Sequence, residues 1–265
     1  MRRLVPLTAV AMVFAASPAA FGQVLYDNAS SISNTIAPYG VVSNPGAGFS
    51  GGDLSALVAP DTTFGFTANT ATAFRIADNF TVPAGFFWNL TGASFVGYTT
   101  GAVAPTLTGA SIRIFNGDPS AGGTVIFGDT TTNFQTSAGF IGPTAVWRAL
   151  STTPTNNQRQ VQFSNSTFSI TLSPGTYWID YALTSSTGAV FSPPIVVNGG
   201  GAVATGDALQ FNGTAYVPMI DAGGATAKGI PFQLFGTQTP IPEPTSMALV
   251  GIGAVGFALR RWRKK

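Results

Sequence analysis

The chain has 265 residues, enough for one large β domain or two small ones, with 45% apolar but only 8% charged side chains, against roughly 25% charged in an ordinary soluble domain. It has no Cys and no His, which excludes disulfides, thiolate metal sites, cysteine nucleophiles and any mechanism that uses imidazole as base or ligand. The net charge of +2 is set by the ends, where Arg2, Arg3, Arg260, Arg261, Arg263, Lys264 and Lys265 lie; between Gln23 and Thr239 five bases face nine acids and leave −4, so no basic surface remains for nucleic acid.

At the N-terminus, Met1-Arg2-Arg3 precedes an apolar stretch from Leu4 to Ala16 and the small-residue segment Ser17–Gly22. A charged start, a short apolar run and small residues before a cut are the pattern of a secretory signal peptide. Ala20 and Gly22 supply the small residues that signal peptidase requires, so residues 1–22 are expected to be removed by cleavage after Gly22. The alternative, an uncleaved N-terminal anchor, is disfavoured by the shortness of the apolar run.

The body, residues 23–238, shows strand periodicity and no long helical pattern. Residues Asp27 to about Gly65 are rich in Gly, Ser and Asn and read as a first strand followed by long loops. From Phe74 to Val82, Phe74, Ile76, Phe80 and Val82 share one face while Arg75, Asn79 and Thr81 share the other, the alternation of a half-buried strand. Asp78 interrupts the apolar face and is expected at a bulge or strand end. Trp88, Leu90, Val96 and Tyr98 alternate next. Ser111–Phe115 then turns through Asn116-Gly117-Asp118-Pro119 towards Thr124–Phe127. Further strands are expected over Thr144–Leu150, Gln158–Phe163, Thr167–Leu172 and Thr176–Leu183. Asp207–Phe211 and Thr214–Val217 flank Asn212-Gly213, the strongest hairpin signal in the chain. Ile230, Phe232 and Leu234 form a last strand. Ten or more short strands with regular turns predict an all-β, two-layer antiparallel β-sandwich, jelly-roll-like, with a barrel as the alternative.

The chain closes, over residues 239–265, with Pro242-Glu243-Pro244, an apolar run from Ser246 to Leu259 and the basic block 260–265. At ~1.5 Å per residue the run spans on the order of 21 Å, short of the ~30 Å hydrocarbon core. Snorkelling arginines and the interfacial Trp262 make up part of the difference. The basic residues Arg260, Arg261, Arg263, Lys264 and Lys265 hold the C-terminus on the cytoplasmic side and leave the body outside. Gly251-Ile252-Gly253-Ala254-Val255-Gly256 matches a dinucleotide fingerprint by spelling alone, because only nine residues follow it and none is acidic.

The order Pro-Glu-Pro, short apolar helix, Arg-rich end resembles the PEP-CTERM sorting signal of Gram-negative bacteria. That resemblance implies that exosortase, a membrane-embedded cysteine transpeptidase or protease, recognises Pro242, Glu243 and Pro244 and cuts near them. The two prolines suit this, since they keep the chain extended and outside any helix. A permanent one-helix anchor is the competing reading. Two body segments, Ala77–Gly85 and Gly229–Gly236, are also similar to those of PEP-CTERM proteins, a softer likeness that implies no activity.

No catalytic constellation emerges, and the chain is expected not to be an enzyme and to need no cofactor or metal. Lys228, the one lysine of the body, reads as a solvated loop residue, and the aspartates read mostly as turn caps. No EF-hand-type calcium loop is present. Trp88, Trp147, Trp178 and Phe115 are expected in the core, with Trp147 and Trp178 as candidates for stacking on sugar rings should they face outward. The expected role is that of an exported structural or interaction protein of the cell surface or biofilm matrix. It would meet signal peptidase, exosortase and, before processing, the membrane, with extracellular polysaccharide as a further partner. The alternatives are a carbohydrate-binding module of that matrix and, third, a hydrolase using paired aspartates.

Overall fold

The computed structural model describes residues 22–29, 39–203 and 206–242. The expected signal peptide, the apolar run 246–259 and the basic block 260–265 lie outside these residues. Fifteen strands follow one another: β1 (Gln23–Asp27), β2 (Asp53–Leu57), β3 (Phe66–Thr67), β4 (Phe74–Val82), β5 (Phe86–Gly97), β6 (Leu107–Phe115), β7 (Val125–Gly128), β8 (Gln135–Phe140), β9 (Val146–Leu150), β10 (Gln162–Leu172), β11 (Gly175–Ser185), β12 (Phe191–Ser192), β13 (Leu209–Asn212), β14 (Tyr216–Pro218) and β15 (Phe232–Pro240). Among the described residues there is no α-helix.

Two antiparallel sheets carry the fold, in the orders β1-β15-β5-β10-β8 and β14-β13-β4-β11-β6-β7. Each keeps two edge strands, so neither closes into a barrel. Their apolar faces meet. Leu90, Ala93, Phe95, Phe232 and Leu234 of the first sheet pack against Ile76, Phe80, Val82, Ile112, Ile114, Ile179, Tyr181 and Leu183 of the second. Phe95 stacks on Tyr181 with ring centroids 4.1 Å apart, and Phe80 lies parallel to Trp88 at 6.3 Å. Each such side chain contributes about 1.5–3 kcal/mol by leaving water. The alternation read from the sequence thus becomes the inward face of β4, β5, β6 and β11.

Several elements differ from expectation for identifiable reasons. Gln158–Phe163 and Thr167–Leu172 were expected as two strands, but β10 runs unbroken from Gln162 to Leu172, its register shifting between Thr167 and Ile170 against β5. The irregularity that reads as a break in sequence is absorbed as a bulge. Strand β8 lacks strong alternation and pairs only at the sheet edge. Strand β2, inside the segment expected to be loop, pairs in parallel with β9. Strand β15 continues to Pro240, beyond the apolar residues that signal it, because Thr237–Pro240 still pair with Phe86–Asn89 of β5.

Asp78 departs most clearly. It lies in the middle of β4, whose register with β11 is unbroken, and it is buried. Its Oδ1 accepts from Asn79 N at 2.8 Å, while Oδ2 accepts from Asn28 Nδ2 at 3.2 Å and Ile230 N at 3.4 Å. Asn28 also donates to the Ile230 carbonyl and accepts from Phe232 N at 2.9 Å. Asp78 therefore ties the second sheet to the segments that enter and leave the first, and the two body segments singled out by resemblance meet at this point.

Burial, and next the neighbouring Asp207 carboxylate, push Asp78 up to about 8. The folded chain therefore holds a proton that the unfolded chain has released. This contribution to stability is complete below about pH 4 and is lost as pH rises towards 8, at up to about 1.4 kcal/mol per pH unit. Urea unfolding of the purified protein should show that decline, and Asp78→Asn should flatten it. Gly236 gives a second expectation. A Cβ there would lie 2.1 Å from the Asn89 carbonyl oxygen, at the point where β15 and β5 shift register. Gly236→Ala should therefore lower the unfolding free energy by about 2 kcal/mol or more, read as a lower urea midpoint at unchanged slope.

Candidate sorting site and buried polar clusters

The last strand leads directly to the sorting motif. Pro240 is paired with Phe86, and Ile241 N donates to the Gly85 carbonyl at 2.8 Å. Gly85, at φ +85°, closes the turn between β4 and β5 in a left-handed conformation that glycine adopts without cost. Pro242, the next residue, is exposed. Glu243 and Pro244 lie outside the described residues. At the other terminus, Gln23 pairs with Gly236, and Gly22 packs so closely on Gly236 that a Cβ would come within 2.9 Å of its carbonyl oxygen. Because β1 and β15 are antiparallel, the chain before Gln23 and the chain after Pro240 run towards the same end of the first sheet. Ala20 lies outside the described residues.

Trp147 and Trp178 are both buried, at 9% and 7% exposure. They stand on different strands: Trp147 on β9, edge-on to Phe49 at 5.3 Å, and Trp178 on β11, within a cluster of Ala77, Phe115 and Leu209. The expectation of core packing is met, and the two rings do not form a stacking surface as they stand. Trp178 belongs to a second small apolar cluster of the second sheet, to which that sheet's own strands β13 and β14 add Leu209 and Tyr216.

The same sheet carries a charged cluster that sequence reading missed. Asp180 Oδ1 accepts from Arg75 Nε at 2.5 Å and Arg113 Nε at 3.0 Å, and Oδ2 accepts from the Tyr216 hydroxyl at 2.6 Å. Arg75 also donates to Ser111 Oγ at 2.7 Å, and Arg113 donates to Tyr216 Oη at 2.7 Å while lying over Phe115. With Asp180 fully buried, every bond has to be made, because an unpaired charge there would cost several kcal/mol. The parity of Arg75, Arg113 and Asp180 on alternating strands was legible; that β4, β11 and β6 are neighbours was not.

A third cluster fastens two loops. Asp221 accepts from Thr62 N, Thr63 N, Gly223 N and Gly224 N at 2.8–3.1 Å. Burial raises its pKa, but these backbone donors outweigh burial and hold the carboxyl at about 2. Arg148, fully buried, donates to the carbonyls of Ala56 at 2.7 Å and Phe64 at 2.8 Å. Burial lowers its pKa to about 10, which leaves it charged at neutral pH. Lys228, expected in solvent, is buried, and its Nζ lies 2.7 Å from Asp61 Oδ2. The reason is the backbone: Lys228 N donates to Met219 O at 2.9 Å, so the loop folds back as a ladder and turns the side chain inward.

Several aspartates act as turn caps, as expected. Asp118 accepts from Ser120 N, and Asp129 from Thr131 N and Thr132 N. The acidic pair that the fold brings together is Asp78 and Asp207, with Asp78 committed to the inter-sheet tie. Among the described residues no group of three acids is arranged to hold a metal ion, and no helix is long and apolar enough to cross a membrane.

No curated protein and no solved structure matches the chain significantly. Residues 240–264 match the PEP-CTERM protein-sorting motif, so the chain carries, immediately after its last strand, the tail of an exosortase-sorted exported protein.

Proposed function

We propose that the chain is a non-enzymatic cargo protein. An N-terminal signal peptide exports it, the apolar run 246–259 holds it transiently on the outer face of the inner membrane, and exosortase releases it to the cell surface or extracellular matrix. There the β-sandwich body serves a structural or interaction role. The observation that carries this reading is the motif match beginning at Pro240, the final residue of β15. From Ile241 to Ser246 at most roughly 18 Å of extended chain is available, so the folded body sits close against the membrane until the tail is cut.

The use of the buried charges supports a non-enzymatic body. Asp180 and Asp221 are each saturated by internal donors, whereas a general acid or base needs an open position towards substrate. The low charge and the Thr-, Ser- and Asn-rich sequence suit a body exposed to an extracellular polysaccharide matrix. Binding to that polysaccharide through Trp147 and Trp178 finds no support in their buried positions.

Intact mass of the protein from an exosortase-positive host should show loss of residues 1–22 and of the C-terminal peptide. In an exosortase-deficient host only the first loss should occur. Glu243→Ala should slow tail removal at least tenfold without changing the folded body, because the last strand of the sheet already ends at Pro240. A tail that stays uncut in the exosortase-positive host would replace this reading with a permanent one-helix anchor.

A further inference from the structure

The Lys228–Asp61 contact is chemically unusual among the polar contacts of the body. Each side chain is nearly withdrawn from water, at 3% and 10% exposure. The amine nitrogen lies 2.7 Å from a carboxylate oxygen. A nucleophile in such contact is close to the ~3–3.5 Å approach distance of a poised bound reactant to the carbonyl carbon. A buried ion pair is costly to keep, whereas an amide in its place carries no charge.

The surroundings are built around Asp61. A Cβ on Gly224 would stand 2.2 Å from Asp61 Oδ1, and one on Gly223 would stand 2.2 Å from the Pro60 carbonyl oxygen, so the Gly223-Gly224 pair lets one loop close directly over the other. Asp221, through its bonds to Thr62 N and Thr63 N, fixes the backbone immediately after Asp61. The same vacant position beside Gly224 lies 3.4 Å from Thr226 Oγ1. That hydroxyl is buried and has no hydrogen-bond partner among the described residues. An orphaned buried hydroxyl costs roughly 1–3 kcal/mol, and this one borders the same position beside Gly224 that Asp61 Oδ1 borders.

We propose that Lys228 and Asp61 condense into an intramolecular isopeptide bond. Nζ passes one proton to Oδ2 and then attacks Asp61 Cγ to form a tetrahedral centre. Nζ gives up a second proton, and one carboxyl oxygen leaves with two protons as water. The N–C bond forms, one C–O bond breaks, and no oxidant or cofactor is consumed. Thr226 Oγ1 is a positioning residue that donates to the oxygen carrying charge in the tetrahedral centre. Exclusion of bulk water favours condensation over its reversal. The product ties the loop between β2 and β3 to the loop before β15. It gives a chain without cysteine a covalent staple that reductants cannot open, placed next to the strand that bears the sorting motif.

The test uses the full chain, expressed, purified, shown to be folded by near-ultraviolet circular dichroism, then denatured and digested with a protease that cuts after aromatic residues. Mass spectrometry should find the Asp61 and Lys228 peptides joined and lighter by one water than the two apart. Lys228→Arg should yield both peptides separate at full mass. Thr226→Val should lower the joined fraction several-fold at equal time, and an unchanged fraction would overturn the part given to Thr226. Separate full-mass peptides from the folded wild-type chain, with Lys228 open to acetylation after denaturation, would overturn the bond itself. Because both residues lie in the body, the outcome is independent of whether either end of the chain is processed.

Discussion

The interior position of β15 is the constraint on which the rest of the structure depends. The strand lies between β1 and β5 in the first sheet, so its backbone is bonded on both sides and its apolar residues face the core. It cannot be peeled away to present the sorting motif without splitting the sheet. The motif is instead presented by continuation: among the described residues Ile241 makes the final bond, to Gly85, and Pro242 is the first exposed residue beyond it. Proline suits that place, because it cannot donate to a further ladder bond and keeps the chain extended. A body that ends in this way keeps its last strand fully paired whatever follows Pro242.

The same strand sets where the described chain enters and leaves the first sheet. Strand β1 pairs antiparallel with β15 from Gln23 opposite Gly236, so the start of β1 and the end of β15 lie at the same end of the sheet. Asp78 and Asn28 complete this arrangement by bonding across to Ile230 and Phe232, where the second sheet meets the entry to β15.

With so few charges, those that are present inside the fold each have a definite task. The Arg75–Asp180–Arg113 cluster links β4, β11 and β6 and, through Tyr216, ties β14 at the edge of the second sheet to β11, while Asp221 and Arg148 close the loops around residues 55–64 and 219–228. These are the places where a sandwich rich in Gly, Ser and Thr lacks apolar side chains for packing. Directional bonds and saturated charges serve there instead, at the cost that removing either partner strands the other in a low-dielectric setting.

By itself the sequence determined what depends on local order along the chain. Alternation in Phe74–Val82 and Thr176–Leu183 marked core strands, Asn212-Gly213 marked the β13–β14 hairpin, and Pro-Glu-Pro followed by an apolar run and a basic end marked the tail that the motif match then placed at 240–264. Only the tertiary structure decided which strands are neighbours, and with that which polar residues meet. Arg75, Arg113 and Asp180 are separated by tens of residues, and Asp61 and Lys228 by 167 positions, so no spacing rule connects them. Their pairing follows from sheet order and from backbone closure at Gly223 and Gly224, which are properties of the packed layers and not of any local segment.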